Sequence, residues 1–204
     1  MNIQNIVLAS ASPRRKELLL QIGIRPEIQV SQVEEQVTSR VPSQVVMELA
    51  SQKAWDVAVT RSAGTLVIGS DTVVAVDGRI LGKPKSHEEA YEMVRSLAGR
   101  SHQVYTGVCM VLRTGAGEED RALTFFDETE VEVYPMTEEE LRNYSQSEEP
   151  MDKAGAYAVQ GLFARYIKGL KGSYANVMGL PVSLVYQGIR QLTEPETKAG
   201  NCQE

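Results

Sequence analysis

Two cysteines, two histidines and no apolar stretch of membrane-spanning length are the first features of this 204-residue sequence. Each scarcity removes a class of explanation. Cys109 lies in an apolar run and Cys202 in a polar segment, too few thiols for a disulfide framework or a zinc site, so a reducing cytoplasm is the expected compartment. No apolar stretch approaches the ~20 residues of a membrane span, and Met1 to Leu8 lacks the basic flank and long apolar core of a signal peptide. Neither membrane insertion nor export is expected. With 16 glycines and 8 prolines the chain is neither collagen-like nor of low complexity. Positive charge is in deficit, 21 Lys and Arg against 27 Asp and Glu, and a formal net charge of −6 argues against a general binder of nucleic acid or anionic membrane. There is no G-x-x-x-x-G-K-[ST] phosphate loop, no G-x-G-x-x-G after the first strand and no G-x-S-x-G elbow. His87, in the first turn of a capped helix, and His102, at a strand entry, are expected as surface residues rather than triad members or metal ligands.

What is present is the composition of an average globular chain, 42% hydrophobic and 24% charged. A single domain of this size buries roughly 70% of its unfolded-chain surface and needs no disulfide or metal staple. Residues 5–9 read as a short buried strand, followed by Ser10-Ala11-Ser12-Pro13 and a helix to Ile22, with Ser12 suited to the N-cap, Pro13 to the first helical position and Gly23 to the stop. A second helix, 43–60, carries Val46, Leu49, Ala50, Ala54 and Val57 on one stripe, and Lys53 falls inside it. Residues 66–76 form a strand, Asp77-Gly78 a type I′ turn and 79–82 the returning strand. Ser86 with Glu89, and Thr137 with Glu140, are capping boxes for helices ending near Gly99 and Ser145. Two long strands, 103–112 and 122–134, meander around Gly115-Ala116-Gly117 with Phe126, Val131 and Val133 as apolar anchors. A loop, 152–161, precedes shorter strand signals to Ile167, and a last helix starts at Pro181. The expected organisation is one domain over 1–192 and a polar tail over 193–204.

Four constellations carry chemistry. Ser10-Ala-Ser12-Pro-Arg14-Arg15-Lys16 sets two hydroxyls and three cations around a helix N-terminus; it fits either an anion site or a solvated basic turn. Asp71 interrupts an apolar strand, where a carboxylate must be paired, protonated or metal-bound, or else caps a neighbouring loop from the strand end. The hairpin register faces Thr72 with Lys83 and Asp71 with Pro84, so alternation puts Asp71 and Lys83 on opposite faces unless a bulge or an early strand end intervenes. Lys53 either snorkels from its stripe or meets a partner. Glu34 and Glu35 are a solvated pair, or hold Mg²⁺ near Asp71.

Together these pieces resemble the Maf family of nucleoside triphosphate pyrophosphatases. The resemblance spans residues 5–192 and rests on five stretches in order: Leu8-Ala-Ser-Ala-Ser-Pro-Arg-Arg-Lys-Glu-Leu-Leu19, Gly69-Ser-Asp-Thr-Val-Val74, Gly82-Lys-Pro84, Asp152-Lys-Ala-Gly-Ala-Tyr-Ala-Val-Gln-Gly161 and Gly172-Ser-Tyr-Ala-Asn-Val-Met-Gly-Leu-Pro181. It implies an α/β fold, an elongated mixed sheet with flanking helices and two lobes around a cleft, as in inosine triphosphate pyrophosphatases. It implies hydrolysis between the α and β phosphates with a divalent metal, Mg or Mn. Asp71 would activate water, and Arg14, Thr72 and Gln160 would govern substrate choice. Ser10, Arg14, Arg15, Lys53 and Lys83 would bind phosphate, and Glu35 and Asp71 the metal. The loop ending in Gln160 is similar to the branch acting on dTTP and UTP rather than 7-methyl-GTP. The implied partner is a nucleoside triphosphate, with a homodimer allowed and no nucleic-acid polymer or membrane. Inosine triphosphate as substrate, or a nucleotide-sensing role in cell division, are the competing implications.

Overall fold

The computed structural model describes residues 3–115 and 117–194, built around one seven-stranded mixed sheet. Strand β1 (Asn5–Leu8) leads through helix α1 (Pro13–Gln21) to β2 (Glu27–Ile28), and α2 (Pro42–Ala58) leads to β3 (Thr65–Val76). Then come β4 (Arg79–Leu81), α3 (His87–Leu97), β5 (Ser101–Leu112), β6 (Arg121–Val133) and α4 (Glu138–Ser145). Three 3₁₀ turns (Glu149–Asp152, Ala154–Ala156, Leu162–Tyr166) precede β7 (Ile167–Lys171), α5 (Tyr174–Val177) and α6 (Val182–Thr193). The strand order is β2-β1-β3-β5-β6-β7, with β4 beside β3. β1 is parallel to β2 and β3, and the other pairings are antiparallel. The expected mixed α/β sheet with flanking helices is therefore present.

Local signals set most elements. Asp77 and Gly78 both have positive φ, 51° and 73°, and pair Val76 with Arg79, as a type I′ turn requires. Thr137 and Glu140 make the full reciprocal capping box. Ser86 accepts from the Glu89 N–H, but the Glu89 carboxylate takes the Lys85 N–H instead of the cap's own, so only half of that box forms. Ser12 occupies the α1 N-cap without a side-chain cap bond; Ser10 Oγ accepts its N–H.

Other expectations are corrected by tertiary packing. Val131 and Val133 are buried as anchors, but Phe126 is 41% exposed, because the outer half of β6 shows one face to solvent. The segment before Ile167 is a 3₁₀ turn rather than strand, with Phe163 fully buried. His102 is not a surface residue: it is fully buried, with Nε2 2.7 Å from the Tyr157 hydroxyl. His87 is half-buried and places Nδ1 2.7 Å from the Ser145 carbonyl. The turn at Ala116, Cys202 and most of the expected tail lie outside the described residues.

The functional consequence of the topology is a gap. On one edge β3 pairs with β1 through residues 65–68 and with β4 through residues 74–76, leaving 69–73 without a partner there; its other edge is paired with β5. The core divides on either side of that gap. Leu66 and Ile68 join Leu8, Leu19 and Leu180, whereas Val74 and Val76 join Val94, Tyr144 and Phe163. Asp71 and Thr72 stand between the two halves.

Candidate active site

A cavity of about 710 Å³ opens at the gap. The open edge also settles the register conflict. β4 stops at Leu81, so Lys83 is released from strand alternation and lines the same cavity as Asp71. Both faces of β3 reach the cavity, Asp71 from the α2 side and Thr72 from the α1 side, because no neighbouring strand walls off either.

The turn into α1 contributes Ser10, Arg14 and Arg15 to the cavity wall. Arg15 is held by three neutral acceptors: Nε donates to the Gly179 carbonyl at 2.9 Å, Nη1 to Ser10 Oγ at 3.0 Å and Nη2 to Thr72 Oγ1 at 3.1 Å. A guanidinium has five N–H donors, so two remain for a ligand in a fixed fork. Burial pulls the Arg15 pKa down, Asp71 pulls it up and Arg14 lowers it further. Half-buried Arg14 and Arg15 and exposed Lys83 make no ion pair among the described residues. Combined with the uncapped N–H groups of the nine-residue α1, this arrangement has the chemistry of an anion site.

Lys53 does not snorkel. Its ammonium lies 2.9 Å from Glu35 Oε1 and 2.5 Å from Asp71 Oδ1. Two glycines explain its reach. A Cβ on Gly69 would stand 2.3 Å from the Ala50 carbonyl oxygen, and one on Gly107 2.3 Å from the Val46 carbonyl, so α2 lies on the sheet at a distance only glycine permits. Gly107 is the register partner of Asp71, and Lys53 projects at the carboxylate from the same helix. Asp71 Oδ2 has no hydrogen-bond partner among the described residues. Glu34 is exposed and outside the cavity.

The donor set suits a small divalent cation. Two carboxylates already converge on one positive centre, the Lys53 ammonium, while no cluster of three or more His, Cys, Asp or Glu occurs among the described residues. Mg²⁺ is commonly held by one or two carboxylates with substrate phosphate and water completing the shell, which matches this sparse set.

Gln160 is exposed and lines the same cavity. Sequence reasoning overlooked several of its neighbours. Tyr157 lines the cavity and is tied to His102, while Lys153 is paired with Asp152 beside it. Gly179 supplies the carbonyl that orients both Arg15 and the Ser70 hydroxyl. Glu149 also lines the cavity, although the run Glu148-Glu149-Pro150 reads as an ordinary solvated charge pair. Backbone acceptors leave no mark in a sequence, and only the motif around Gly172–Pro181 hinted at Gly179.

Comparison with known proteins agrees with this arrangement. A family model described as Maf-like protein matches residues 5–192. A protein of Lachnoclostridium phytofermentans named dTTP/UTP pyrophosphatase is 47% identical over 186 residues, 91% of this chain and 94% of its own. Its namesake in Agathobacter rectalis is 48% identical over 202 residues, 93% of this chain and 98% of that one. One from Bacillus cereus is 44% identical over 199 residues, 97% of this chain and 95% of that one. With the motifs, the cleft and near-complete coverage in agreement, the chain belongs to the Maf family.

Proposed function

We propose that this protein is a nucleoside triphosphate pyrophosphatase that converts dTTP and UTP to the monophosphate and pyrophosphate. The observation that carries the reading is a lysine-bridged carboxylate pair, Asp71 and Glu35, sharing one cavity with a half-buried Arg15 that has no ion-pair partner among the described residues. The relatives of that name, 44 to 48% identical, support the choice of base.

In this reading Asp71 Oδ2 accepts a proton from water as the water oxygen bonds to the α-phosphorus. The bond from that phosphorus to the bridging oxygen breaks, and pyrophosphate leaves. Arg15 offers its two remaining N–H groups to phosphate oxygens, with Arg14, Lys83 and the α1 N-terminus adding positive charge. Ser10 holds Arg15 and thus acts on phosphate through it. Thr72, whose hydroxyl meets both Arg15 and Thr106, borders the nucleotide. Gln160 presents both a donor and an acceptor, which complement the imide edge of thymine or uracil. Glu35 and Asp71 would hold Mg²⁺ or Mn²⁺, which when bound neutralises phosphate charge and polarises the P–O bonds. Positioning and charge neutralisation suffice for phosphoryl chemistry, so no covalent nucleophile is required. A cytoplasmic location, which rests on the scarcity of cysteine, and the homodimer that the family resemblance allows complete the reading.

The test is pyrophosphate release by the purified protein with Mg²⁺ from dTTP, UTP, CTP, 7-methyl-GTP and inosine triphosphate. Turnover is expected chiefly on dTTP and UTP. Inactivity on every nucleotide overturns the reading, and preference for 7-methyl-GTP reassigns the base.

A further inference from the structure

The cleft contains a carboxylate for which the phosphate chemistry has no use. Glu149 lines the cavity but makes no ion pair among the described residues. Like charges repel, so this carboxylate cannot itself bind a phosphate oxygen. It is nonetheless fully engaged. Oε2 accepts from the Leu162 N–H at 2.6 Å, while Oε1 accepts from the Phe163 N–H at 3.1 Å and from the Tyr144 hydroxyl at 3.0 Å.

All three donors are fixed. Tyr144 is buried, its ring 5.0 Å from that of Phe163, and burial together with the Glu149 charge raises its pKa, which keeps the hydroxyl protonated. Leu162 and Phe163 open the 3₁₀ turn that immediately follows Gln160 and Gly161. Gly161 shows how close the contact is. A Cβ there would stand 2.0 Å from Glu149 Oε2 and 2.4 Å from its Cδ, although the Gly161 φ of −108° suits any residue. What a methyl there would meet is this carboxylate, held in place by its three hydrogen bonds.

We propose that Glu149 is a specificity-determining positioning residue, which clamps residues 161–163 so that the Gln160 amide meets the base. The proposal rests on the pyrophosphatase reading, in which Gln160 contacts the base. Glu149 does not touch the reacting atoms, so its loss acts on selectivity before it acts on chemistry.

Glu149→Gln preserves shape but turns one acceptor atom into a donor that faces a backbone N–H or the tyrosine hydroxyl. The measurement is kcat and KM for UTP and CTP, which differ at N3 in presenting a donor or an acceptor. The expected result is a fall of about tenfold in the UTP/CTP ratio of kcat/KM, carried by KM, with kcat on UTP within about threefold of wild type. Gly161→Ala, which drives a methyl into the same carboxylate, should shift the ratio in the same direction. In a Glu149→Ala background that methyl has room, so its cost should shrink. Tyr144→Phe, which removes one of the three bonds, should give a smaller shift and covers the case in which Glu149→Gln fails to fold. A merely structural role predicts a lower melting temperature with the ratio unchanged, and that result overturns the proposal. Calorimetric binding of the α,β-methylene analogues of UTP and CTP reads the same ratio without turnover. If wild type discriminates between the analogues but hydrolyses no nucleotide, the pyrophosphatase reading fails while this proposal is still decided; if it binds neither, both fall.

Discussion

Asp71 concentrates the catalytic claim in one oxygen. Oδ1 is occupied by the Lys53 ammonium at 2.5 Å, and Oδ2 has no hydrogen-bond partner among the described residues. Asp71→Asn keeps an acceptor for Lys53 but cannot take a proton from water. Turnover of UTP should fall about 10²–10⁴-fold, the usual contribution of a general base, with KM within severalfold of wild type. Steady-state kinetics check this, and near-normal kcat would remove Asp71 from the role. His102 allows a second prediction at this scale, on stability. Burial depresses its pKa from the ordinary 6.5 to about 4, and its Nδ1 has no partner. Between those two values the unfolded chain binds the proton and the folded one does not, so stability increases with pH through this window and is lost on acidification. Across pH 6.5 to 4 wild type should lose about 3 kcal/mol more than His102→Gln, measured by urea unfolding at each pH. The placement of Asp71 at the cavity was legible in the sequence because a charge in an apolar strand demands an explanation. His102 was not, because a strand-entry histidine looks the same whether or not a tyrosine from residue 157 covers it.

At the scale of the element, the placement of α2 decides whether Lys53 reaches Asp71. The helix itself is legible from its stripe of Val46, Leu49, Ala50, Ala54 and Val57, and so is the hairpin from Asp77-Gly78, since both signals are local. The distance between helix and sheet is not, because it depends on Gly69 and Gly107 meeting backbone atoms of residues distant in sequence. The end of β4 at Leu81 and the 3₁₀ turn over 162–166 are likewise products of tertiary contact: the Gly82 carbonyl takes the Gly155 N–H at 3.0 Å, and Phe163 fills the core. Gly107→Ala should therefore act twice. A Cβ 2.3 Å from the Val46 carbonyl forces the helix outward, with a destabilisation of about 1–3 kcal/mol typical of overpacking, and retracts Lys53 from Asp71. Thermal unfolding and UTP kinetics should change together. Gly82→Ala is the control, since nothing lies within 4 Å of its Cβ; its stability should stay within about 0.5 kcal/mol of wild type. If Gly107→Ala were as neutral as the control, close packing of α2 would not be what sets the site.

The whole molecule combines a net charge of −6 with a cavity lined by four cationic side chains, and the position of the cavity reconciles them. Composition averages over the surface, whereas Arg14, Arg15, Lys53 and Lys83 are collected by folding at one gap in one strand. That gap also divides the core, with Leu66 and Ile68 in one half and Val74 and Val76 in the other. β3, β5 and β6 nevertheless run unbroken through both halves, and β3 and β5 are paired from Leu66 to Ala75. The halves should therefore unfold as one cooperative unit, and a nucleotide seated between them should stabilise that unit as a whole. Asp71→Asn, which binds without turning over, permits the measurement with UTP itself. At a free concentration about 100 times Kd the gain is about 2.7 kcal/mol, which for a chain of this size corresponds to a rise of about 5–10 °C in melting temperature. Calorimetry should show a single transition that moves as one with UTP and Mg²⁺. Two transitions, of which only one shifts, would mean that the continuous strands do not couple the halves and that the cleft belongs to one of them.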